Sequence, residues 1–267
     1  MNPTNEFFTN EEEFNKFLGM TDHYKSLQDK VVRLVNPKSG QVIIEVGCGT
    51  GSTAITLAKK CSEAQIIAVD NRVEVIKEAE RIAKREGVKN IDFVELDMAD
   101  IGNFIRKHNI NPNTMLFLYS FHHIPDPISN KIKVAKDIFD SCPNGTKVII
   151  GDGLVPVSHT NKKYSQEVFK QEKPRPHQTY LSVFWEQYIK NLESGIADED
   201  CIKDAVNIAK ESEEMERSFA DMIANRDGEF LLSLDEFKKV WTDAGFNIQV
   251  CEAINSLGET IAICIKE

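Results

Sequence analysis

Several glycines stand where the first apolar run of the chain meets a helical pattern. Glycines at a strand-to-helix turn let the backbone bend sharply and let a ligand come close, and the following helix points its N-terminus at that ligand. Dinucleotide-binding loops place their third glycine at the position that Ser52 occupies here. The pattern indicates a small-molecule site, with a turn that serves only the fold as the alternative. The segment reads Glu45-Val46-Gly47-Cys48-Gly49-Thr50-Gly51.

Two carboxylates follow the second and third apolar runs. Asp70 comes about 20 residues after the glycines, where a carboxylate can accept hydrogen bonds from both hydroxyls of a ribose. NAD enzymes use the same device, so Asp70 does not by itself distinguish cofactors. Asp97 ends the third run. Both residues also suit the N-cap of the next helix, which is the alternative role for each.

A pair of histidines follows the fourth apolar run, in Tyr119-Ser120-Phe121-His122-His123-Ile124-Pro125-Asp126. A histidine, with an ordinary pKa of about 6.5, suits proton removal at neutral pH. His123 and His122 are therefore the first candidates for a general base, and Asp152 and His159, just past the fifth run, are the second. Packing or loop support is the alternative. A metal site is not expected, because these histidines lack Cys or His partners at ligand spacing.

Short apolar runs alternate with helical patterns through the middle of the chain. This alternation predicts βαβ units, and continuous apolar runs are typical of parallel strands that are buried on both faces. The last two runs are joined by a hairpin-length connection and should be antiparallel. The predicted fold class is α/β: a doubly wound, mostly parallel seven-stranded sheet with an antiparallel last strand. The predicted strands are 42–46, 65–69, 91–96, 115–119, 147–150, 246–254 and 260–265, and the clearest helix is 73–85.

Helical patterns without strand character flank this core. We expect N-terminal helices over 1–36 that close the cofactor site, a core over 37–155, a helical insertion or lid over 156–232, and a closing helix and strand pair over 233–267. Ser233 and Glu236 have the spacing of a capping box. Aromatic residues outside the core are candidates for a pocket wall, with helix packing as the alternative. They include Tyr24, Tyr180 and Trp185.

Charge and cysteine content narrow the classes of protein. The net charge of −10 over 267 residues argues against a duplex nucleic-acid binder, which needs a basic face. None of the six cysteines forms a CxxC pair, which favours a reducing cytoplasm. No apolar run approaches the roughly 20 residues that span a membrane, and the polar N-terminus does not resemble a signal peptide. We expect a cytoplasmic protein without nucleic-acid or membrane partners.

The glycine segment resembles the first motif of class I S-adenosylmethionine-dependent methyltransferases, of the form E/D-x-G-x-G-x-G. The resemblance covers about residues 34–153 and the last ~35 residues, and the histidine segment resembles the family's "hHHhxD" stretch. It implies that the glycine loop lies beside the methionine part of the cofactor, that Asp70 binds the ribose, and that Asp97 and the Met98 amide meet the adenine. The implied cofactor residues are Glu45, Gly47, Cys48, Gly49, Gly51, Asp70, Asn71, Asp97, Met98 and Tyr119.

The function that this resemblance implies is methyl transfer from S-adenosylmethionine to a small-molecule acceptor. Tyr24, His122, Tyr180 and Trp185 are the expected acceptor contacts. Three alternatives remain: a methyltransferase acting on protein or RNA, an NAD-dependent oxidoreductase, and a non-catalytic binding protein on the same fold. The antiparallel ending and Ser52 disfavour the oxidoreductase.

Overall fold

The computed structural model describes residues 22–155, 230–253 and 259–267. The chain divides into two compact units, one of residues 1–26 with 159–229 and the other of residues 27–158 with 230–267. The second unit contains the sheet. Residues 27–36 and 230–232, which were predicted to lie outside the core, group with the sheet in this division. The predicted lid over 156–232 lies almost wholly outside the described residues.

Seven long strands and one short strand form a single sheet. Its order is β3-β2-β1-β4-β5-β8-β7, and β6 pairs with the end of β5. The strands β1 to β5 are parallel to one another, whereas β8 runs antiparallel between β5 and β7. The predicted fold class is confirmed, and β6 is an addition to it. The strands are β1 (Val42–Val46), β2 (Gln65–Asp70), β3 (Ile91–Glu95), β4 (Thr114–Leu118), β5 (Lys147–Val155), β6 (Leu232–Ser233), β7 (Asn247–Ala253) and β8 (Glu259–Ile265).

Six α-helices lie in the described part of the chain. The helix predicted over 73–85 has those bounds, and Ser233 and Glu236 form both hydrogen bonds of the predicted capping box. Two single turns of 3₁₀-helix, Met98–Asp100 and Phe121–His123, follow the ends of β3 and β4. The α-helices are α1 (Asp22–Val35), α2 (Ser52–Lys60), α3 (Val73–Arg85), α4 (Ile101–Lys107), α5 (Ile128–Ser141) and α6 (Leu234–Asp243).

The central strands β1, β2 and β4 are almost entirely buried. An aromatic cluster covers one face of the sheet: Trp241 of α6 lies 4.9 Å from Phe121 and 6.2 Å from Phe117, measured between ring centroids. A smaller group around Ile55 and Ile82 belongs to α2 and α3. Helices on both faces explain why these strands are continuous apolar runs in the sequence.

The chain changes direction across the sheet at β1, which pairs with β2 on one side and with β4 on the other. Connections from the carboxyl ends of such neighbours diverge, and ligands of doubly wound sheets bind in the crevice between them. The predicted glycine loop and the histidine segment follow β1 and β4 directly. The fold therefore brings both segments to this crevice. In the ranges described, no helix combines the length and the apolar character needed to cross a membrane.

Candidate active site at the carboxyl edge of the sheet

The glycine loop between β1 and α2 has a backbone that non-glycine residues rarely adopt. Gly47, Gly49 and Gly51 have φ angles of 74°, 52° and 80°. The amides of Gly47 and Cys48 donate to the carbonyl of Val69 at 2.8 and 2.9 Å, which ties the loop to the end of β2. L-residues in this left-handed region cost about 1–2 kcal/mol each, so the glycines are required by the backbone conformation itself.

The three glycines have different surroundings. A Cβ on Gly47 would lie 2.4 Å from the Cβ of Ser120, and one on Gly51 would lie 2.9 Å from the ring of Phe93. Among the described residues, no atom other than those of its two chain neighbours lies within 4 Å of the position that a Cβ on Gly49 would occupy. Gly47 and Gly51 are therefore needed for packing, whereas Gly49 borders open space. This open side is where a ligand can approach the loop backbone.

Asp70, at the end of β2, is bonded to the glycine loop. Its Oδ2 accepts from the Gly49 amide at 3.0 Å, and its Oδ1 accepts from the Arg72 amide at 3.0 Å and from Arg72 Nε at 3.4 Å. The side chain is about nine-tenths buried. An ionised carboxylate offers about four acceptor positions, and three donors are present, so Asp70 keeps capacity for a further donor such as a ligand hydroxyl. Asn71, beside it, is exposed.

Glu45, in β1, is 2% exposed. Burial raises the pKa of Glu45 to about 8, and the hydrogen bonds from the Ala54 amide and the Thr53 hydroxyl offset this only in part. Its Oε2 has no hydrogen-bond partner among the described residues. The carboxyl group is therefore mostly protonated at neutral pH and can donate or accept one further bond.

Cys48 lies within the loop and is buried. Burial, together with the neighbouring carboxyl groups of Glu45 and Asp70, holds the pKa of this thiol well above its ordinary value. A nucleophilic cysteine requires the thiolate form. Cys48 therefore contributes its backbone and its volume to the loop.

Asp97 caps the 3₁₀ turn after β3, where its Oδ1 accepts from the Ala99 amide at 2.8 Å. The capping role that the sequence left open is thus present. The side chain is also exposed, so the same carboxylate has room to accept a hydrogen bond from a ligand. Met98, the next residue, is half-buried and packs against the main core.

A strained turn carries the chain out of β4. Tyr119 has a φ of 49°, and its amide donates to the carbonyl of Gly151 in β5 at 2.8 Å. The buried Ser120 hydroxyl then donates to the carbonyl of Val46 at 2.7 Å. Ser120 also fills the space that a side chain at Gly47 would need. The histidine segment is therefore locked to the glycine loop through one serine.

His122 and Asp152 form a buried pair. His122 Nδ1 lies 2.5 Å from Asp152 Oδ1, with side chains that are 11% and 5% exposed. The His122 amide donates to Asp152 Oδ2 at 3.1 Å, and the Gly153 amide donates to Oδ1 at 3.0 Å. An ionised carboxylate only accepts, so Nδ1 is the donor in this bond. In the neutral form of that tautomer the lone pair is on Nε2.

His123 occupies a different position from His122. Its side chain is exposed, and its ring lies 4.1 Å from that of His122, centroid to centroid, at an angle of 54°. It therefore borders the pair. Both histidines belong to the 3₁₀ turn that comes after Tyr119 and Ser120.

A buried lysine of α5 donates hydrogen bonds to the backbone of the histidine segment. Lys131 of α5 is fully buried and donates to the carbonyls of Ile124 and, at 3.4 Å, of His122. The amide of Phe230 donates to the same His122 carbonyl at 3.2 Å. Neither Lys131 nor Ser120 was predicted from the sequence as a site residue. A signal existed for Lys131, since it stands on the apolar face of α5 with Val134, Ala135 and Ile138.

One predicted candidate base and three predicted acceptor contacts fall outside the described part of the chain. His159, Tyr180 and Trp185 lie outside the described residues, as does the side chain of Tyr24. Across the three described ranges, no group of three or more His, Cys, Asp or Glu side chains is arranged to hold a metal ion.

Comparison with known proteins identifies the family. Residues 37–184, more than half of the chain, match the profile of a methyltransferase domain. The site has the loop and carboxylates of a class I, S-adenosylmethionine-dependent methyltransferase. The chain belongs to this methyltransferase family of enzymes, and its cofactor is S-adenosylmethionine.

The individual relatives are distant. A carboxy-S-adenosyl-L-methionine synthase of Nautilia profundicola is 30% identical over 128 residues, which are 46% of this chain and 48% of that protein. Magnesium protoporphyrin IX methyltransferase of Synechocystis, solved with S-adenosylmethionine, has a TM-score of 0.55 at 13% identity, over 98% of this chain and 94% of that one. An O-methyltransferase family 2 protein of Planctomyces limnophilus has a TM-score of 0.55 at 14% identity, over 97% and 62%.

The curated relatives match this chain over only part of their length. This chain spans about half or less of the length of the curated relatives it matches. Other relatives are named as methyltransferases of ribosomal RNA and of a release factor. The structural neighbours therefore show the fold, and the curated relatives differ from one another in the acceptor that they are named for.

The described residues fit the cofactor on their own geometry. The Gly49 backbone borders open space, Asp70 is held at the end of β2 by the loop amide, and Glu45 retains an unpartnered oxygen beside the loop. A carboxylate at the end of β2 and a glycine backbone that a ligand can approach closely are suited to a ligand with ribose hydroxyls and a polar amino-acid end.

Proposed function

We propose that this protein transfers the methyl group of S-adenosylmethionine to a small-molecule acceptor that must lose a proton, such as a hydroxyl or an ammonium. The observation that carries the proposal is the buried His122–Asp152 pair, which the Ser120 hydroxyl connects to the glycine loop. A carboxylate or thiolate acceptor would need no such pair, because it is already a nucleophile.

Cofactor binding falls to residues at the ends of β1, β2 and β3. The Gly47–Gly51 loop would receive the amino-acid end, with Glu45 behind it. Asp70 would accept the ribose hydroxyls, with Asn71 beside it, and Asp97 and the Met98 amide would meet the adenine. When bound, the cofactor supplies an electrophilic methyl group on a sulfonium. The protein then has to align the acceptor with that group and exclude water.

Proton removal falls to His122. Asp152 holds the Nδ1–H and so fixes the tautomer in which Nε2 accepts the acceptor's proton. As the imidazole gains that proton, the carboxylate 2.5 Å away stabilises the new charge. Lys131 and the Phe230 amide hold the His122 backbone, so the ring does not have to be ordered during the reaction. His123, exposed beside His122, would contact the acceptor.

A small acceptor fits the charge of the chain better than RNA does. The net charge of −10 opposes a polyanionic substrate. We further propose that residues 1–36 and 156–232 select the acceptor, with Tyr24, Tyr180 and Trp185 as contacts and His159 as a second candidate base.

The direct test has two stages. Thermal unfolding with S-adenosylmethionine, S-adenosylhomocysteine or NAD should give a shift of roughly 5–10 °C with the two sulfur ligands at about 100 times their Kd, and none with NAD. Labelled S-adenosylmethionine is then incubated with small-metabolite, RNA and protein fractions, and products are identified by mass. Label confined to the small-metabolite fraction supports the proposal.

Other outcomes overturn the proposal in separate ways. Label in RNA or protein would show that the acceptor is a macromolecule and not a small molecule. A modified S-adenosylmethionine without label transfer would instead favour chemistry on the cofactor, the activity for which the Nautilia relative is named. No shift with any ligand, for folded protein free of carried-over ligand, would favour a non-catalytic protein.

A further inference from the structure

Helix α1 has one buried polar side chain among its residues 25–35. Leu27, Val31, Val32 and Val35 make up the buried apolar face of this helix, and Gln28 lies among them with only 4% of its surface exposed. A buried amide is costly unless it is hydrogen-bonded. Its presence on an otherwise apolar face therefore points to a specific task.

The Gln28 amide bonds the start of α2. Its Nε2 donates to Ser52 Oγ at 2.9 Å and to Thr53 Oγ1 at 3.1 Å. These are the first two residues of α2, directly after the glycine loop. Gly51, the N-cap of α2, has a left-handed backbone and no side chain to cap the helix. A side chain of α1, Gln28, therefore holds the start of α2, a task that an N-cap side chain performs in other helices.

The Thr53 hydroxyl also acts on Glu45. It accepts from Gln28 at 3.1 Å, and together with the Ala54 amide it lowers the pKa of the Glu45 carboxyl group against the larger effect of burial. Gln28 therefore holds a hydroxyl that interacts with the carboxyl group behind the loop. Among the described residues, Oε2 of that carboxyl group has no hydrogen-bond partner.

The neighbouring residue of α1 reaches the other half of the site. The Leu27 side chain lies 3.4 Å from the position that a Cβ on Gly151 would occupy. Gly151 precedes Asp152 in β5 and accepts the Tyr119 amide. Two adjacent residues of α1 thus contact the glycine loop side and the His122–Asp152 side.

We propose that Gln28 is a positioning residue that holds the glycine loop in its cofactor-binding shape through Ser52, Thr53 and Glu45. The inference rests on the proposed function only for the identity of the ligand. Gln28 touches no reacting atom in this proposal: it acts by setting the hydroxyls at the start of α2 and the carboxyl group behind the loop. Its removal should weaken cofactor binding and leave the transfer step itself intact.

The test compares variants that differ in one donor. Gln28→Leu keeps the volume and removes the amide, and Thr53→Val keeps the shape and removes the hydroxyl. Thr53→Ser keeps the hydroxyl and serves as the conservative rescue. Lys30→Ala is the matched control, because it removes an exposed contact of the same helix, the ion pair with Glu252 at 2.7 Å. Each full-length variant is checked for Tm before any other measurement.

The main readout is the Kd of S-adenosylhomocysteine by calorimetry, well below the Tm. Gln28→Leu and Thr53→Val should each raise this Kd by roughly tenfold. Thr53→Ser and Lys30→Ala should stay within about threefold of the wild type. The double variant should bind little worse than the weaker single variant, because both changes break one chain of bonds. In turnover, KM for S-adenosylmethionine should rise while kcat at saturation holds; a purely structural role would lower Tm without changing Kd.

A second readout does not depend on any ligand. Amide hydrogen exchange of the unliganded protein reports the order of residues 45–53. Gln28→Leu should speed exchange there, and Lys30→Ala should not. If the wild type fails to bind S-adenosylhomocysteine, the proposed function fails, and this exchange still decides the role of Gln28. Unchanged exchange in Gln28→Leu, an unchanged Kd in a wild type that binds, or an equal effect of Lys30→Ala would overturn the inference.

Discussion

The two halves of the site are made in different ways. The half at the ends of β1, β2 and β3 consists mainly of backbone: three glycines with positive φ and loop amides held by Val69 and Asp70. The half at the ends of β4 and β5 consists of side chains, with His122 and Asp152 meeting from positions 30 residues apart. Ser120, bonded to Val46, joins the two.

This difference separates the effects of substitutions. In the half built mainly from backbone, most substitutions act by changing the loop conformation or a cofactor contact, so damage there should appear in stability and cofactor affinity. A half built from side chains can lose its chemistry while the fold persists, so damage there should appear in turnover. Substitutions in each half can therefore test the separation.

The largest effect is expected at the His122–Asp152 pair. His122→Gln and Asp152→Asn should each lower kcat by about 10²–10⁴-fold, the usual contribution of a positioned base. The Kd of S-adenosylhomocysteine should stay within about threefold, as measured by calorimetry. Asp137→Asn is the control, because Asp137 pairs with Arg106 on the surface at 2.6 Å. Full turnover in both site variants would mean that the acceptor needs no base.

The glycine loop should respond through stability. Gly47→Ala combines a positive φ with a Cβ 2.4 Å from Ser120, and should lower the free energy of unfolding by roughly 2–5 kcal/mol. Gly49→Ala has the same kind of φ and an open neighbourhood, so about 1–2 kcal/mol is expected. Denaturant unfolding measures both. Equal losses would show that Ser120 does not constrain the loop.

Asp70 tests the cofactor half by affinity. Asp70→Ala should weaken S-adenosylmethionine by roughly 1.5–3 kcal/mol, about 10–150-fold, since a bond to a charged acceptor is lost. The control is Asp92→Ala, an exposed carboxylate on β3 that bonds Gln65 at 3.2 Å. Titration calorimetry at fixed salt gives the comparison. A change of less than threefold at Asp70 would remove it from the ribose position.

The effect expected from Glu45 is a pH dependence of stability that builds up gradually over several pH units. Its pKa is about 8 in the folded protein, against an ordinary value of 4.5. Between these values the folded state holds a proton that the unfolded state has lost, so this group lowers stability as pH rises from 4.5 to 8. The slope is at most about 1.4 kcal/mol per pH unit. Glu45→Gln should remove that part of the slope in unfolding curves at pH 5 to 8; identical slopes in the two proteins would contradict the raised pKa.

Local patterns predicted much of the fold. The glycine segment, the 73–85 helix, the Ser233 capping box and the antiparallel ending all depend on residues close together in sequence, and all are present. Turn geometry, helical spacing and capping act over a few residues, which is why they can be read without coordinates. The short strand β6 was missed, because two residues carry no periodicity.

Local patterns did not predict that His122, at the end of β4, pairs with Asp152 in β5. His123 and His122 are adjacent, and nothing in their types distinguishes them. The positive φ of Tyr119 and the register that places Gly151 opposite Leu118 direct His122 to Asp152 and leave His123 exposed. Both features depend on contacts between β4 and β5.

The sequence by itself determined the fold class and the position of the site, because strand–helix alternation and a glycine turn are local requirements of the backbone. The glycine loop after β1 and the carboxylates after β2 and β3 also carried the resemblance to methyltransferases. The tertiary structure alone decided which groups meet. It buried Glu45 so that its pKa rises, brought Asp152 to His122, and set Gln28 of α1 against the start of α2. Burial and hydrogen bonding between distant segments depend on how strands and helices pack, and no local pattern specifies that packing.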